Sequence, residues 1–483
     1  MFIRLCAIPM AILLFAPRVA TADCSPVTPV ACPDCFAVFV MPDTQNYTRL
    51  STQPAGANHL DLVTRYICQQ RTAWTEPSTG KQMPILMVIQ LGDIVDHGDL
   101  EEAEAGPLAE WKRASAAFDN LDSCDPVVPY LVTNGNHDSL PGDYEKPTEG
   151  YDAYFGADRW ESKGYGCAAL DDCDWQAGEW FLGSGDEIAA GSRNNVGEGS
   201  RGPPEAQQGH HRAGMIRSPN GTPFLFLGLE MAVDFPPAAP GFEDVEGDDT
   251  RWVKELLELY PDVSTIVFHH SLFWAFDPPD TRLRWGPQTW HSDSIREPLD
   301  PDVVSRAPEL GTDRGMKDLF DHLLAPYSQV RFIFTGHVLR PTTQADYTIS
   351  RAGGPPVWGM MRNYQLIDLG FPGGKDNYGV GWNVIAVFDP DAEQVRIRSY
   401  RIDDVEAYAD PAADYLHTGE PAPTECFDSD QGGFPERVIS WDFEPPRAQT
   451  RRFSLVGIAV PAALVLSAAV WVLGRRMRRR RAG

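Results

Sequence analysis

Five short blocks of this chain place donor side chains just past apolar runs. They are Asp43-Thr44-Gln45, Gly92-Asp93-Ile94-Val95-Asp96, Gly135-Asn136-His137-Asp138, His269-His270 and Gly336-His337. Carboxylates can bridge two cations, and imidazole nitrogens and amide oxygens can complete the shells. This is the donor set of a hydrolytic centre built on divalent metal ions. Taken singly the blocks are ordinary: Gly-Asp closes many turns, and a His pair is as often packing as chemistry. Gly-Asn-His-Asp is rarer. The weight lies in the order of the five and in where they fall.

Where they fall is set by strands. Continuous apolar runs at Phe36 to Met41, Ile85 to Leu91, Val127 to Val132, Phe224 to Leu229, Thr265 to Phe268 and Val330 to Phe334 predict strands buried on both faces. Helical spacing appears between them, with Trp252, Leu256, Leu257 and Leu259, and again with Met316, Leu319, Phe320, Leu323 and Leu324. Alternating strands and helices predict an α/β architecture. Val384 to Phe388 and Val395 to Tyr400, joined by Asp389-Pro390-Asp391-Ala392, predict a hairpin. Ligand sites in open α/β sheets form at the carboxyl ends of strands, where all five blocks stand.

The blocks, in this order, resemble those of the calcineurin-like metallophosphoesterases, over roughly residues 36 to 340. The resemblance implies two β-sheets flanked by helices, with the metals at the strand ends. It implies Asp93 as the bridging carboxylate, Asp43 and Gln45 on the first metal, and Asn136, His269 and His337 on the second. His269 and His270 are adjacent, and a continuing strand turns only one of them into the cleft; the family pattern favours His269. His137 is implied as the proton donor to the leaving group and Asp138 as the residue that orients it. Asp96 matches a position that is often structural.

The match departs from the family in two places. Gln45 stands where most members carry His, and Leu339 stands where a second His usually follows Gly336-His337. Two divalent ions, of Mn, Mg, Ca, Fe or Zn, are expected, and the first metal site is expected to be oxygen-rich and weak, suited to Mn²⁺, Mg²⁺ or Ca²⁺ more than Zn²⁺. A side chain from an insert, such as His291, is a candidate to fill the gap, and Arg340 is a candidate instead to bind the phosphate as a fixed cation. The expected substrate is a small phosphate mono- or diester. The alternative reading is a catalytically reduced module that keeps the fold for metal or surface binding.

The ends predict export. Residues 1–22 read as a signal peptide, with basic Arg4, an apolar stretch and Ala20-Thr21-Ala22 at the cleavage site. Residues 23–401 read as the phosphoesterase domain and 402–452 as a Pro-rich, acidic stalk. Residues 453–474 read as a transmembrane helix and 475–483 as a basic cytoplasmic tail. The formal charge is −27. Ten of the 41 basic residues sit at the two ends, so the part between is more acidic still. No docking of nucleic acid is expected on such a surface.

Apart from Cys6 in the leader, the cysteines are Cys24, Cys32, Cys35, Cys68, Cys124, Cys167, Cys173 and Cys426. This even set predicts disulfides in an exported chain. Cys167 and Cys173 are close enough to staple one loop, and Cys426 is expected to tie the stalk to the N-terminal group. The inserts Ser139 to Thr222 and Ala275 to Arg314 are expected to rim the pocket. His59, His97, His210, His211, His291 and His322 match no block and are expected on the surface or rim.

Overall fold

A computed structural model of the chain describes residues 28–48, 58–76, 79–96, 108–140, 143–147, 149–167, 173, 178–184, 211–230, 248–274, 284–285, 317, 319–337, 344–352, 354–363, 382–402 and 437–441. The chain divides into two units, Met1–Phe443 and Glu444–Gly483. The second lies outside the described residues, as do the leader, the apolar stretch 453–474 and the basic tail. Among the described residues no helix is long and apolar enough to cross a membrane.

The first unit is mixed α/β. A six-stranded sheet runs Arg437–Ser440, Gln394–Arg401, Trp382–Asp389, Phe36–Met41, Ile85–Gln90, Tyr130–Val132. Its last three strands are parallel. A seven-stranded sheet runs Gln344–Ile349, Val357–Arg362, Val330–Thr335, Ser264–His269, Pro223–Leu229, Arg212–Arg217, Phe181–Ser184. Its central four are parallel. Parallel strands put their carboxyl ends on one edge, so each sheet offers one edge of loops to a shared site.

Strand alternation sorts the side chains of the seven-stranded sheet into two cores. Phe224, Phe226, Ile266, Phe268, Phe332, Phe334 and Met360 share one core with Phe36, Phe388 and the rest of the six-stranded sheet. Phe36 meets Phe224 at 5.0 Å, and Phe332 meets Phe388 at 6.1 Å, ring centre to ring centre. The two sheets therefore face each other. The alternate residues Leu225, Leu227, Val267, Ile333 and Met361 face outward. They bury Trp252, Val253, Leu256 and Leu257 of the helix Asp248–Leu259 and the leucines of a π-helical turn, Leu319–Leu324. The helices His59–Gln70 and Ala109–Asp122 pack into the first core and are tied to each other by the disulfide Cys68–Cys124.

Several expectations change. The strand expected from Val127 begins at Tyr130, just after Pro129, which has no N–H for a ladder. Ser139 to Thr222 is more than a rim, since Phe181–Ser184 and Arg212–Arg217 are strands of the larger sheet. Its Tyr151, Phe155, Trp160, Trp180 and Phe181 are core. Part of the segment read as stalk belongs to the fold: Arg437–Ser440 pairs with Gln394–Arg401, and Trp441 is buried on Phe332, 4.5 Å away, and Phe388. His59 and His211 are buried, not on the surface, whereas His322 is exposed. His97, His210 and His291 lie outside the described residues, as does nearly all of the second insert.

The disulfides include Cys167–Cys173, as the spacing predicts, and Cys32–Cys35. Cys24 and Cys426 lie outside the described residues. Truncating Trp441 to Ala empties the centre of the inter-sheet aromatic cluster, so Trp441→Ala is expected to cost about 3–5 kcal/mol. Urea unfolding of the two chains checks this; a cost under about 1 kcal/mol would mean that this strand is not part of the core.

Candidate metal centre

Two backbone hairlines prepare the site. Gln90, buried, donates from Nε2 to the Gly92 carbonyl at 2.6 Å and accepts from the Gly92 N–H at 2.9 Å, which folds the chain back just past its strand. Asp138 does the same on a larger scale. Its carboxylate accepts from the N–H groups of Ile94 at 2.9 Å, Val95 at 3.1 Å and Gly135 at 2.9 Å, so it welds the Gly-Asp loop to the Gly-Asn-His-Asp loop. Asp138 thus orients backbone, and the hydrogen bonds of its carboxylate go to main-chain N–H groups and not to the imidazole of His137. Burial, joined by the charge of Asp93, raises its carboxyl to about 7 against those three donors.

Three glycines keep the approach open. A Cβ on Gly135 would stand 2.2 Å from Asp93 Oδ1. One on Gly336 would stand 2.4 Å from Asp43 Oδ1, and one on Gly92 would stand 2.8 Å from His270 Nδ1. Each glycine of the Gly-Asp, Gly-Asn-His and Gly-His blocks is therefore a place where another loop's donor comes too near for any side chain. Asp93 and His337 themselves sit at φ 52° and 69°, in the left-handed region. Non-glycine residues there cost on the order of 1–3 kcal/mol each, and strain of this kind collects at functional sites.

The donors converge on His270. Its Nδ1 lies 2.8 Å from the Leu91 carbonyl and 3.3 Å from Asp43 Oδ1. Its Nε2 lies 3.0 Å from Asn136 Oδ1, 3.3 Å from Asp93 Oδ1 and 3.0 Å from His337 Nδ1. The main chain completes the frame: the His337 N–H donates to Asp43 Oδ2 at 2.8 Å, and the His137 N–H donates to Asp93 Oδ1 at 2.9 Å. Asp43, Asp93, Asn136, His270 and His337 are all buried.

His270 occupies the place expected of His269. The reason is strand alternation: Ile266, Phe268 and then His270 face the other sheet, while His269 follows Val267 outward. His269 turns back locally, and its Nδ1 accepts from the Ser271 N–H at 2.8 Å. The apolar pattern before the pair carried this signal, because the inward face was legible once Phe224, Phe226, Ile266 and Phe268 were aligned.

The site also includes a residue the sequence left as structural. Asp96 accepts from His137 Nδ1 through its main-chain carbonyl at 2.8 Å, and its carboxylate lies 3.2 Å away. Asp96, not Asp138, therefore orients the imidazole. His137 is the partly exposed member of the group. Gln45 lies beside this pair and donates to Asp96 Oδ1 at 3.3 Å. Leu339 and Arg340 lie outside the described residues.

The electrostatics ask for positive charge. Burial lifts the Asp43 carboxyl to about 6, even with His270 pulling it down. Burial also works against ionised Asp93, but the charges of His270 and His137 outweigh it and hold that carboxyl well below its usual range. Burial opposes a charged His137 too, yet Asp93 and Asp96 carry it up to about 10. His337 goes the other way: burial and then the His270 charge bring it down to about 3. Asn136 Oδ1, Asp93 Oδ1 and His337 Nδ1 all lie within 3.3 Å of His270 Nε2, and a proton on that nitrogen or a cation among them would offset the gathered acceptors.

Ligating atoms of Asp93, His270 and His337 lie within 4.8 Å of one another. His337 Nε2 and Gln45 Oε1 are buried without a hydrogen-bond partner. His270 Nδ1–H on a backbone carbonyl is the arrangement that leaves Nε2 free to ligate. Carboxylate, amide oxygen and imidazole together suit a divalent cation, and the residues fit one. A second group of close ligating atoms, Cys32, Cys35 and Asp389, offers no such set, since its sulfurs form a disulfide.

No protein-family model matches the chain, and no curated protein matches it. Among solved structures it is similar to the crystal structure of 5'-nucleotidase from Candida albicans SC5314, at 11% identity and a TM-score of 0.30, over 87% of this chain and 53% of that one. The chain thus spans about half the length of that protein. A likeness this slight assigns neither fold nor activity.

A cation is expected to stabilise the fold, and more so at higher pH. Asp43 is raised to about 6, so it is charged at pH 7.5 and largely protonated at pH 5, where a cation must displace that proton. Thermal melts with saturating Mn²⁺ check this: the rise in Tm should be larger at pH 7.5 than at pH 5. An equal rise at both pH values would place cation binding elsewhere. Gly135→Ala drives a methyl into Asp93 and is expected to abolish the Mn²⁺-dependent rise.

Proposed function

We propose that this chain is a metal-dependent phosphoesterase of the calcineurin-like kind, hydrolysing a small phosphate mono- or diester outside the cytoplasm. The observation that carries this reading is the convergence of Asp43, Asp93, Asn136, His270 and His337 from strand ends of two facing sheets, with a partly exposed imidazole, His137, set beside them. The disulfides are compatible with an oxidising exterior. Export by the leader and tethering by the stretch 453–474 are part of the same proposal.

Asp93, Asn136, His270 and His337 would hold one divalent ion, and Asp43 with Gln45 and the shared Asp93 a second, more weakly held one. Bound there, such ions supply Lewis acidity toward the phosphoryl oxygens and a water of lowered pKa. The chain's own residues do the rest. Asp138 holds the two loops at a fixed distance through three backbone N–H groups. Asp96 fixes the ring of His137, so that Nδ1 is engaged and Nε2 is the nitrogen left for substrate. A charged His137, raised to about 10, carries a proton at neutral pH and can deliver it to a departing oxygen. Burial of the carboxylates keeps competing water from the donors.

The second reading, a metal-binding module without turnover, is favoured by Leu339, which supplies no ligand. A panel of phosphoesters with added Mn²⁺ separates the two. Wild type is expected to turn over at least one ester, and His137→Ala to lose about 10²–10⁴-fold on an ester whose leaving group needs a proton. Leu339→His should strengthen binding of the more weakly held ion, the one beside Asp43 and Gln45. Metal binding without hydrolysis by either wild type or Leu339→His would establish the module instead.

A further inference from the structure

The amide of Gln45 has two ends with different surroundings. Nε2 donates to Asp96 Oδ1 at 3.3 Å. The same oxygen lies 3.2 Å from His137 Nδ1, and the Asp96 carbonyl accepts from that nitrogen at 2.8 Å. Asp96 is held from behind as well, its N–H donating to the buried Glu110 carboxylate at 2.8 Å. The turn that carries Gln45 is pinned in place: Thr48 Oγ1 lies 3.1 Å from the Gln45 carbonyl and 3.3 Å from the Ile94 carbonyl.

The amide cannot be turned over. With its oxygen toward Asp96, two acceptors would face each other with no hydrogen between them. Nε2 on Asp96 therefore fixes where Oε1 is. That oxygen is buried and has no hydrogen-bond partner. A buried acceptor left so costs about 1–3 kcal/mol unless something electropositive meets it. Gln45 stands two residues past Asp43, whose carboxylate already belongs to the cluster around His270.

We propose that Gln45 is a positioning residue that couples cation binding to the proton donor. Its Oε1 is the end that faces the cation, and its Nε2 holds the Asp96–His137 pair. Occupancy of the weaker metal site then tightens the alignment of His137 through a single rigid amide. This rests on the phosphoesterase reading for the reaction that His137 serves, but not for the binding half of the claim.

The two ends can be separated on the full chain. Gln45→Glu keeps an oxygen for the cation and removes the donor to Asp96. Gln45→Leu removes both. Calorimetry with Mn²⁺ is expected to show affinity retained or raised in Gln45→Glu and lowered at least about tenfold in Gln45→Leu. Hydrolysis of an alkyl phosphoester, relative to the p-nitrophenyl ester that needs no proton, is expected to fall about tenfold or more in both variants. In a His137→Ala background neither variant should change that ratio further.

A readout without turnover covers the same point. Diethylpyrocarbonate modification of His137, followed by peptide mass spectrometry, should be faster in Gln45→Leu, which frees the Asp96–His137 pair without adding charge, than in wild type. Urea unfolding of each variant keeps loss of fold apart from loss of coupling. If Gln45→Glu leaves the leaving-group ratio unchanged, if Gln45→Leu leaves the modification rate unchanged, or if a folded Gln45→Leu binds Mn²⁺ as wild type does, the coupling is wrong. A wild type that hydrolyses nothing sinks the phosphoesterase reading, while the Mn²⁺ and modification arms still decide the role of Gln45.

Discussion

One imidazole joins the two halves of this structure. His270 extends from the edge of the seven-stranded sheet, and its Nδ1 meets the Leu91 carbonyl, just past a strand of the six-stranded sheet. Everything else in the cluster is arranged around that crossing. Asp43, Asp93 and Asn136 come from the first sheet and His337 from the second, and each is placed by its distance to the same ring. A ring so placed cannot be moved without parting the loops of both sheets.

The surrounding backbone bears the cost. Two members of the cluster sit at positive φ, three glycines stand where no Cβ fits, and one buried carboxylate, Asp138, is given over to tying loops together. Such local departures from comfortable geometry persist because the two packed cores on either side of the larger sheet over-determine the strand ends. The rigid inter-sheet aromatic layer and the strained loops are thus two parts of one arrangement.

Much of this was legible in the sequence, for identifiable reasons. The long apolar strands were read because strands buried on both faces leave a continuous signature, as in Phe36–Met41 and Pro223–Leu229. Strands such as Arg212–Arg217 and Gln344–Ile349 were not, since polar residues at their ends and edges mask the pattern. The choice between His269 and His270 depends on which face of the strand meets the second sheet, and a one-residue error turns every side chain over. The roles of Asp96 and Asp138 were exchanged for a different reason: hydrogen bonds from backbone N–H groups to a carboxylate leave no trace in residue spacing.

The bond from the His337 N–H to Asp43 spans 294 residues of chain. A contact of that separation forms late, because the loop it closes must first be paid for in chain entropy by everything it encloses. A partly folded chain can hold the more local pieces of the cluster, such as the His137 N–H on Asp93, before the His337–Asp43 contact completes it. A cation held by the completed cluster would act more on the rate of unfolding than on the early steps of folding. The His337–Asp43 contact is in this sense a clasp fastened late, one that would lengthen the lifetime of the native state more than it guides the route to it.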